Sequence, residues 1–284
     1  MRGDLLRGRP GRRGDSRGKR RLILPGAAFF DLDKTLIEGS SGIHFARAAY
    51  RSGLIGRRQL AVDLWANLRF RLQGSTDAAS EEIRQRVLDV IAGTPVKELQ
   101  RLGPEILAGV LPRIYPEVLR AAYEHQDAGR PALIVTAASQ EMAELMAHVL
   151  VLDGGIGTRS EIKDGVYTGR PDGPFTYRSG KAEAIRLVAV ERGIDLSASY
   201  AYSDSESDLP MLNAVGHPVA VNPDTALERI ARDNGWRIMR FDRLGRRLRI
   251  AGVLGAITLV GGGGGYVAGR IRRRPSRLGT MRRR

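Results

Sequence analysis

"AAFFDLDKTLIEGSSG", residues 27–42, ends an apolar run on two aspartates one residue apart, Asp31 and Asp33, with Thr35 close behind. Two like charges beside a buried strand repel one another where little water separates them, so the pair either caps a turn or awaits a cation. The rest of the chain bears on the choice, because other apolar runs end in a similar way. "PALIVTAAS" (131–139) carries Thr136 among small residues, and "SYAYSDSESD" (199–208) ends in Asp204 and Asp208. "GKAEAIRLVAVERG" (180–193) reads as an amphipathic helix opened by Lys181.

Between these runs the pattern alternates. Residues 43–122 read as mostly helical, with apolar positions three and four apart in "GIHFARAAYRSGL", "RRQLAVDLWANLRFRL" and "SEEIRQRVLDVIAG". "TRSEIKDGVYTGRP" (158–171) carries the Asp164-Gly165 signature of a hairpin, and "HPVAVNPD" (217–224) reads as the final short strand. Strands alternating with helices predict an α/β fold, a parallel sheet with helices on both faces, and such sheets bind ligands beyond the carboxyl ends of their strands. Asp31, Asp33, Thr136, Asp204 and Asp208 would all meet at that edge. Isolated turn caps would not converge in this way.

The chemistry of the set follows from its residue types. Four carboxylates at one edge raise one another's pKa unless a cation is present. Oxygen-only ligation, with no cysteine in the chain and no histidine nearby, suits Mg²⁺, which completes its shell with water and substrate phosphate. Thr136 and the backbone N–H groups after it can hold phosphate oxygens, and Lys181 can neutralise charge as a point cation. One aspartate at the strand end can attack phosphorus, and a second, off the turn, can move the proton.

DLDKT (31–35), Thr136 after a strand, Lys181 opening a helix and SDSESD (203–208), in that order, resemble the haloacid dehalogenase superfamily, and the helical insert straight after the first motif is similar to its phosphoserine-phosphatase-like branch. The resemblance covers roughly residues 25–240. It implies a Rossmann-like parallel sheet core with a helical cap inserted after the first strand, and an Mg²⁺-dependent phosphomonoester hydrolase. It further implies Asp31 as nucleophile and Asp33 as acid/base. Asp31, the main-chain carbonyl of Asp33 and Asp204 would hold Mg²⁺ with Asp208 in support, and Thr136 and Lys181 would bind the phosphoryl group. The sequence departs from the branch at the substrate. Where phosphoserine phosphatases place a Glu nine residues beyond the nucleophile this chain has Ser40, with Glu38 two residues early. The usual Gly and Asn of the last motif are Ser203 and Ser207. The phosphoryl chemistry survives these changes; the leaving group is not named. Arg47, Arg51, Arg69 and Arg71 in the insert are candidates to meet an anionic substrate, against the alternative of a solvated helix face.

Bulk properties bound the remaining readings. The 284 residues suffice for one large domain, and the absence of cysteine excludes disulfides, thiolate metal sites and Cys nucleophiles. The net charge of +15 looks like a nucleic-acid signal until it is located. Residues 1–24 carry nine Lys/Arg against two Asp, and residues 240–284 carry thirteen Arg against one Asp, which leaves residues 25–239 at −4. No specific nucleic-acid partner is therefore expected, and the substrate is a small phosphomonoester. The division predicted is a disordered basic arm at 1–24, a core at 25–242 with its cap at about 40–118, and a basic tail at 243–284. The arm lacks the apolar stretch of a secretory signal, so a cytoplasmic protein is expected. In the tail, "IAGVLGAITLVGGGGGYVA" (250–268) is uncharged and flanked by arginines, and as a helix would span roughly 28 Å, near a bilayer core. Seven of its nineteen residues are Gly, which weakens a helix, so a membrane-associated segment and a flexible linker both stand. His44, His125, His148 and His217 lack metal-like spacing and are read as structural or surface residues. Three other function classes remain: a phosphotransferase, a non-catalytic phosphate-binding module, and a tether working through its basic tails, with a lipid-derived phosphomonoester as the substrate if the tail meets a membrane.

Overall fold

Residues 26–56 and 77–241 are described by the computed structural model. The basic arm, the 243–284 tail with its 250–268 segment, and Arg69 and Arg71 lie outside the described residues. Among the described residues no helix is long and apolar enough to cross a membrane.

The opening run becomes β1 (Ala28–Asp31), buried at every position. In chain order there follow α1 (Ser41–Arg51), α2 (Asp77–Ile91), α3 (Val96–Arg101), α4 (Gly103–Val110), α5 (Pro116–Asp127), β2 (Ala132–Ser139), α6 (Gln140–Val149) and β3 (Gly154–Thr158). The hairpin β4 (Ser160–Lys163) and β5 (Val166–Pro171) comes next, then α7 (Ser179–Arg192), β6 (Tyr200–Ser203), α8 (Leu209–Leu212), β7 (His217–Val221), α9 (Thr225–Asp233) and β8 (Arg237–Met239). Six strands form one sheet in the order β3-β2-β1-β6-β7-β8, every pair parallel. β1 is central, so both its faces are covered and its sequence is a continuous apolar run rather than an alternating one.

Successive side chains of β1 enter opposite layers. Phe30 packs with Ala48, Ile134, Met146 and Tyr202 beneath α1, α5 and α6. Phe29 packs with Leu133, Ile185, Ala201 and Leu227 beneath α7 and α9. Phe30 stacks on Tyr202 at 4.3 Å between ring centroids, and the Tyr202 hydroxyl lies 2.8 Å from His125 Nε2. Arg130 Nε donates to His125 Nδ1 at 2.8 Å, so His125 is a buried, fully partnered structural residue, as expected from the sequence. Burial first, then Arg130 and Arg237, hold its imidazole down to about 4.

The helical insert runs from α1 to the short turn at Leu111–Arg113, and α5 already lies against β1 and β2. A second segment joins it from far along the chain. The β4–β5 hairpin turns at Asp164 and Gly165, both at positive φ, where the sequence places it. Tyr167 and Gly165 of this hairpin bond the chain after α2, with Gly93 N donating to Tyr167 O at 2.8 Å and Val96 N to Gly165 O at 2.9 Å. Tyr167 fills a small core with Ile91 and Leu99.

Two strands depart from the sequence reading. The strand at 217–221 is not the last, because β8 pairs beside it through Val219 and Arg237. β3, with sequence GGIGT, carries no apolar signal at all. Its glycines answer to a close approach: a Cβ on Gly155 would fall 2.2 Å from the backbone of Ala143 in α6. Helix and edge strand touch backbone to backbone at Gly155 and Gly157, so no side chain fits at those two positions, while Ile156 between them enters the core. Gly155→Ala should therefore cost about 1–3 kcal/mol in urea unfolding, whereas Gly165→Asn, in an open turn where Asn tolerates the left-handed region, should cost well under half of that.

Candidate active site

The register of the central strands sets the site. Asp31 lies level with Val135, one residue before Thr136, and Phe30 lies level with Tyr202, two residues before Asp204. Asp31, Thr136 and Asp204 therefore occupy the carboxyl edge of three adjacent strands. Lys181, on the first turn of α7, reaches the same edge and is buried there with Asp31, Asp204 and Asp208.

Lys181 holds the centre. Its Nζ donates to Asp31 Oδ1 at 2.5 Å and to Asp208 Oδ2 at 2.7 Å. Burial opposes the ammonium charge, but Asp208 and Asp31 outweigh it and hold Lys181 above its usual range. The carboxylates are less well matched. Asp31 stands raised to about 8, by burial first, against the pull of Lys181 and with the added push of Asp208 and Asp204. Burial likewise raises Asp204 to about 6 against the pull of Lys34, whose Nζ stands 3.9 Å away. Three buried carboxylates to one buried ammonium leave an excess of negative charge that the protein does not itself neutralise.

That excess has a place to be met. Thr35 Oγ1 lies 3.1 Å from Asp31 Oδ2 and 3.4 Å from Asp204 Oδ1, so one hydroxyl reaches oxygens of both aspartates. Asp208 Oδ1 is buried with no hydrogen-bond partner among the described residues. A hard, oxygen-seeking cation fits this donor set, with Asp31 and Asp204 as the side chains that would hold it. No three acids among the described residues form a closed cage, because Lys181 stands between Asp31 and Asp208.

Asp33 faces another way. Its carboxylate accepts from Ser40 Oγ at 3.0 Å and from Ser41 N at 2.8 Å, at the start of α1. It is held at the start of the first cap helix by these two donors. The side chain of Asp33 is thus committed to α1, and only its carbonyl is left for a cation. Ser40 stands at the N-cap position, but its hydroxyl serves Asp33 instead of the helix. Thr136 is buried at its strand end, its Oγ1 accepting from Ala138 N at 3.1 Å.

Several supporting residues escape a sequence reading. Ser203 Oγ donates to Asp208 Oδ2 at 2.7 Å, which gives the departure from glycine at this position a job. Ser207 Oγ bonds Ser205 within the same turn. Asp224 caps α9 through Leu227 N and also accepts from Glu206 N at 3.2 Å, tying the SDSESD loop to the next element. Of the insert's basic residues, Arg51 is paired with Glu105 at 2.8 Å, while Arg47 and Arg113 line a cavity beside His44. His44 is thereby more than a surface residue: burial, then Arg113 and Arg47, lower its pKa against the pull of Asp33. Short polar residues such as Ser203 and Ser40 carry no pattern until the turn that uses them is known.

Removing the central cation exposes what it balances. Lys181→Met should lower stability by about 3–5 kcal/mol at neutral pH in urea unfolding, the cost of breaking a buried pair by deleting one partner. A loss below about 1 kcal/mol would mean that Asp31 and Asp208 take up protons in place of the ammonium.

Comparison with known proteins places the chain. The model of the haloacid dehalogenase-like hydrolase family matches residues 28–213. The protein named phosphoserine phosphatase SerB1 of Mycobacterium tuberculosis is 40% identical over 260 residues, covering 90% of this chain and 83% of that one. A protein named histidinol-phosphatase from Neisseria meningitidis is 31% identical over 219 residues, covering 75% and 98%. A crystal structure of a protein of unknown function from Bordetella pertussis superposes with a TM-score of 0.67 at 30% identity, covering 75% of this chain and 97% of that one. With its parallel sheet, its inserted cap and these relatives, the chain belongs to the haloacid dehalogenase-like hydrolases, as a phosphatase of the phosphoserine-phosphatase-like branch.

Proposed function

We propose that the protein hydrolyses a small phosphomonoester, with Mg²⁺ as cofactor and a phosphoenzyme on Asp31 as intermediate. What supports this is one arrangement: Asp31 at the end of the central strand, bonded to Lys181 and reached by Thr35, with Asp33 two residues on and fixed separately by Ser40 and Ser41. Two aspartates so close in sequence have different surroundings and can take different roles.

A carboxylate oxygen of Asp31 attacks phosphorus, and the bond to the leaving oxygen breaks as the new one forms. The Asp33 carboxyl gives its proton to that oxygen, releasing an alcohol. In the second half Asp33 takes a proton from water, the hydroxide attacks the same phosphorus, and Asp31 departs as a free carboxylate. Lys181 and the Thr136 hydroxyl hold phosphoryl oxygens through both halves, as charge-assisted donors at the strand edge. Mg²⁺, when bound by Asp31, Asp204 and the carbonyl of Asp33, supplies positive charge against the phosphoryl oxygens. The two relatives quoted above carry names with different leaving groups, a serine and a histidinol, so the alcohol is a separate question.

Two experiments test this. Asp31→Asn should abolish turnover of p-nitrophenyl phosphate and the trapping of a beryllium fluoride adduct. Asp33→Asn should still form phosphoenzyme from that good leaving group but release phosphate about 100-fold or more slowly, since only proton transfer is removed. Wild-type turnover by Asp31→Asn would refute the mechanism. Separately, Mg²⁺ should both activate the enzyme and raise its Tm, because it binds the folded state alone. Asp204→Asn should weaken both effects together, and full activity in EDTA would overturn the metal assignment.

A further inference from the structure

Between α1 and α4 the cap carries an open cleft of about 600 Å³, lined by Glu38, His44, Arg47, Arg51, Glu105 and Arg113. Its floor continues the first motif. Glu38 N donates to Arg113 O at 2.7 Å, Tyr115 N donates to Leu36 O at 2.9 Å, and Ile37 bridges Ile114, so the loop that carries Asp33 is stitched to the end of the insert. His44 lies against bare backbone: a Cβ on Gly109 would fall 2.2 Å from its Nδ1. The imidazole thus forms a fixed wall of the cavity, close enough to Asp33 to feel its charge.

Three arginines and two glutamates, Glu38 and Glu105, stand on these walls, an excess of one positive charge. Arg51 and Glu105 neutralise one another at 2.8 Å. Arg47 and Arg113 make no ion pair among the described residues, and both are exposed to solvent. The volume is generous for an alcohol as short as serine and falls within the roughly 300–1,000 Å³ of small-molecule clefts.

Resting on the phosphatase reading above, we infer that the leaving group is longer than serine and carries a second anionic group, a carboxylate or a phosphoryl, that Arg47 and Arg113 receive. The reacting phosphoryl group sits on Asp31, the leaving oxygen faces Asp33, and the rest of the alcohol extends past His44 toward the two arginines. Planar guanidinium groups suit either anion, and both of these can move to meet it. Arg47 and Arg113 are specificity residues, remote from the atoms that react.

The test uses the full chain with Mg²⁺ and open-chain substrates matched in length, 6-phosphogluconate against glucitol 6-phosphate, with p-nitrophenyl phosphate as reference. The expected result is a preference in kcat/KM of about tenfold or more for 6-phosphogluconate, the size of one charge-assisted contact. It should lie chiefly in KM and decline as salt is raised. Arg47→Gln with Arg113→Gln should bring the ratio toward one, and the corresponding Lys variants should keep part of it. Glycerol 3-phosphate and 3-phosphoglycerate repeat the comparison in a shorter alcohol, where the preference for the carboxylate should be smaller. A ratio near one in the wild type, or a ratio unmoved when both arginines are replaced by Gln, would overturn the inference while leaving p-nitrophenyl phosphate turnover in place. Failure to hydrolyse p-nitrophenyl phosphate would instead count against the phosphatase reading itself.

Discussion

A single buried ammonium ties the two halves of this active site together. Lys181 bonds Asp31 from the first motif and Asp208 from the last, and all three are withdrawn from water. Each alone would be costly to bury, and a buried charge persists only when it is paired. The lysine therefore fixes where α7 begins relative to β1 and where the SDSESD loop folds back. Its own position depends on the sheet order, since β1 must lie between β2 and β6 for Asp31, Thr136 and Asp204 to share an edge. Even so, one cation does not balance three carboxylates. The shortfall shows in the raised Asp31 and Asp204, and it is the physical reason for assigning a metal to this edge.

Much of this was legible in the amino-acid sequence, and for a definite reason. β1 is buried on both faces and so announces itself as an uninterrupted apolar run, and the acids stand out because they end such runs. Lys181 at a helix start and Asp164-Gly165 at a tight turn are local signals, and the structure keeps both. β3 was not legible, because contact with α6 requires glycine where strand propensity would ask for Val or Ile. Nor was β8, only three residues long and one face exposed. At the site, the direction of Asp33 could not be read from spacing. Whether its carboxylate turns toward Asp31 or toward α1 depends on Ser40 and Ser41, whose backbone and hydroxyl donors gain meaning only once the helix is in place.

The departures from the phosphoserine-phosphatase pattern fall into two kinds. Ser203 bonds Asp208, so its hydroxyl adds a donor beside a buried acid. Ser40 is engaged with Asp33 at the start of α1, so its hydroxyl ties the first motif to the cap. The first kind adjusts the charge machinery and the second alters the cap. A fold of this design allows such division, because the acid cluster is built from strand ends of the sheet while the cleft beside it is built from an insert.

The order of the sheet also governs when in the life of the chain this edge comes into being. β1 pairs with β2 across some hundred residues and with β6 across more than one hundred and seventy, as in Ala28 with Ala132 and with Tyr200. Closing loops of that length costs entropy before any contact rewards it, which makes such pairings slow. A chain emerging from the ribosome would expose Phe29, Phe30 and the first aspartates long before Tyr202 and Asp204 exist to cover and complement them. The nascent N-terminal half is thus a hydrophobic, half-charged intermediate, and shielding it until residue 208 has been made is a demand placed on folding by the same topology that assembles the site.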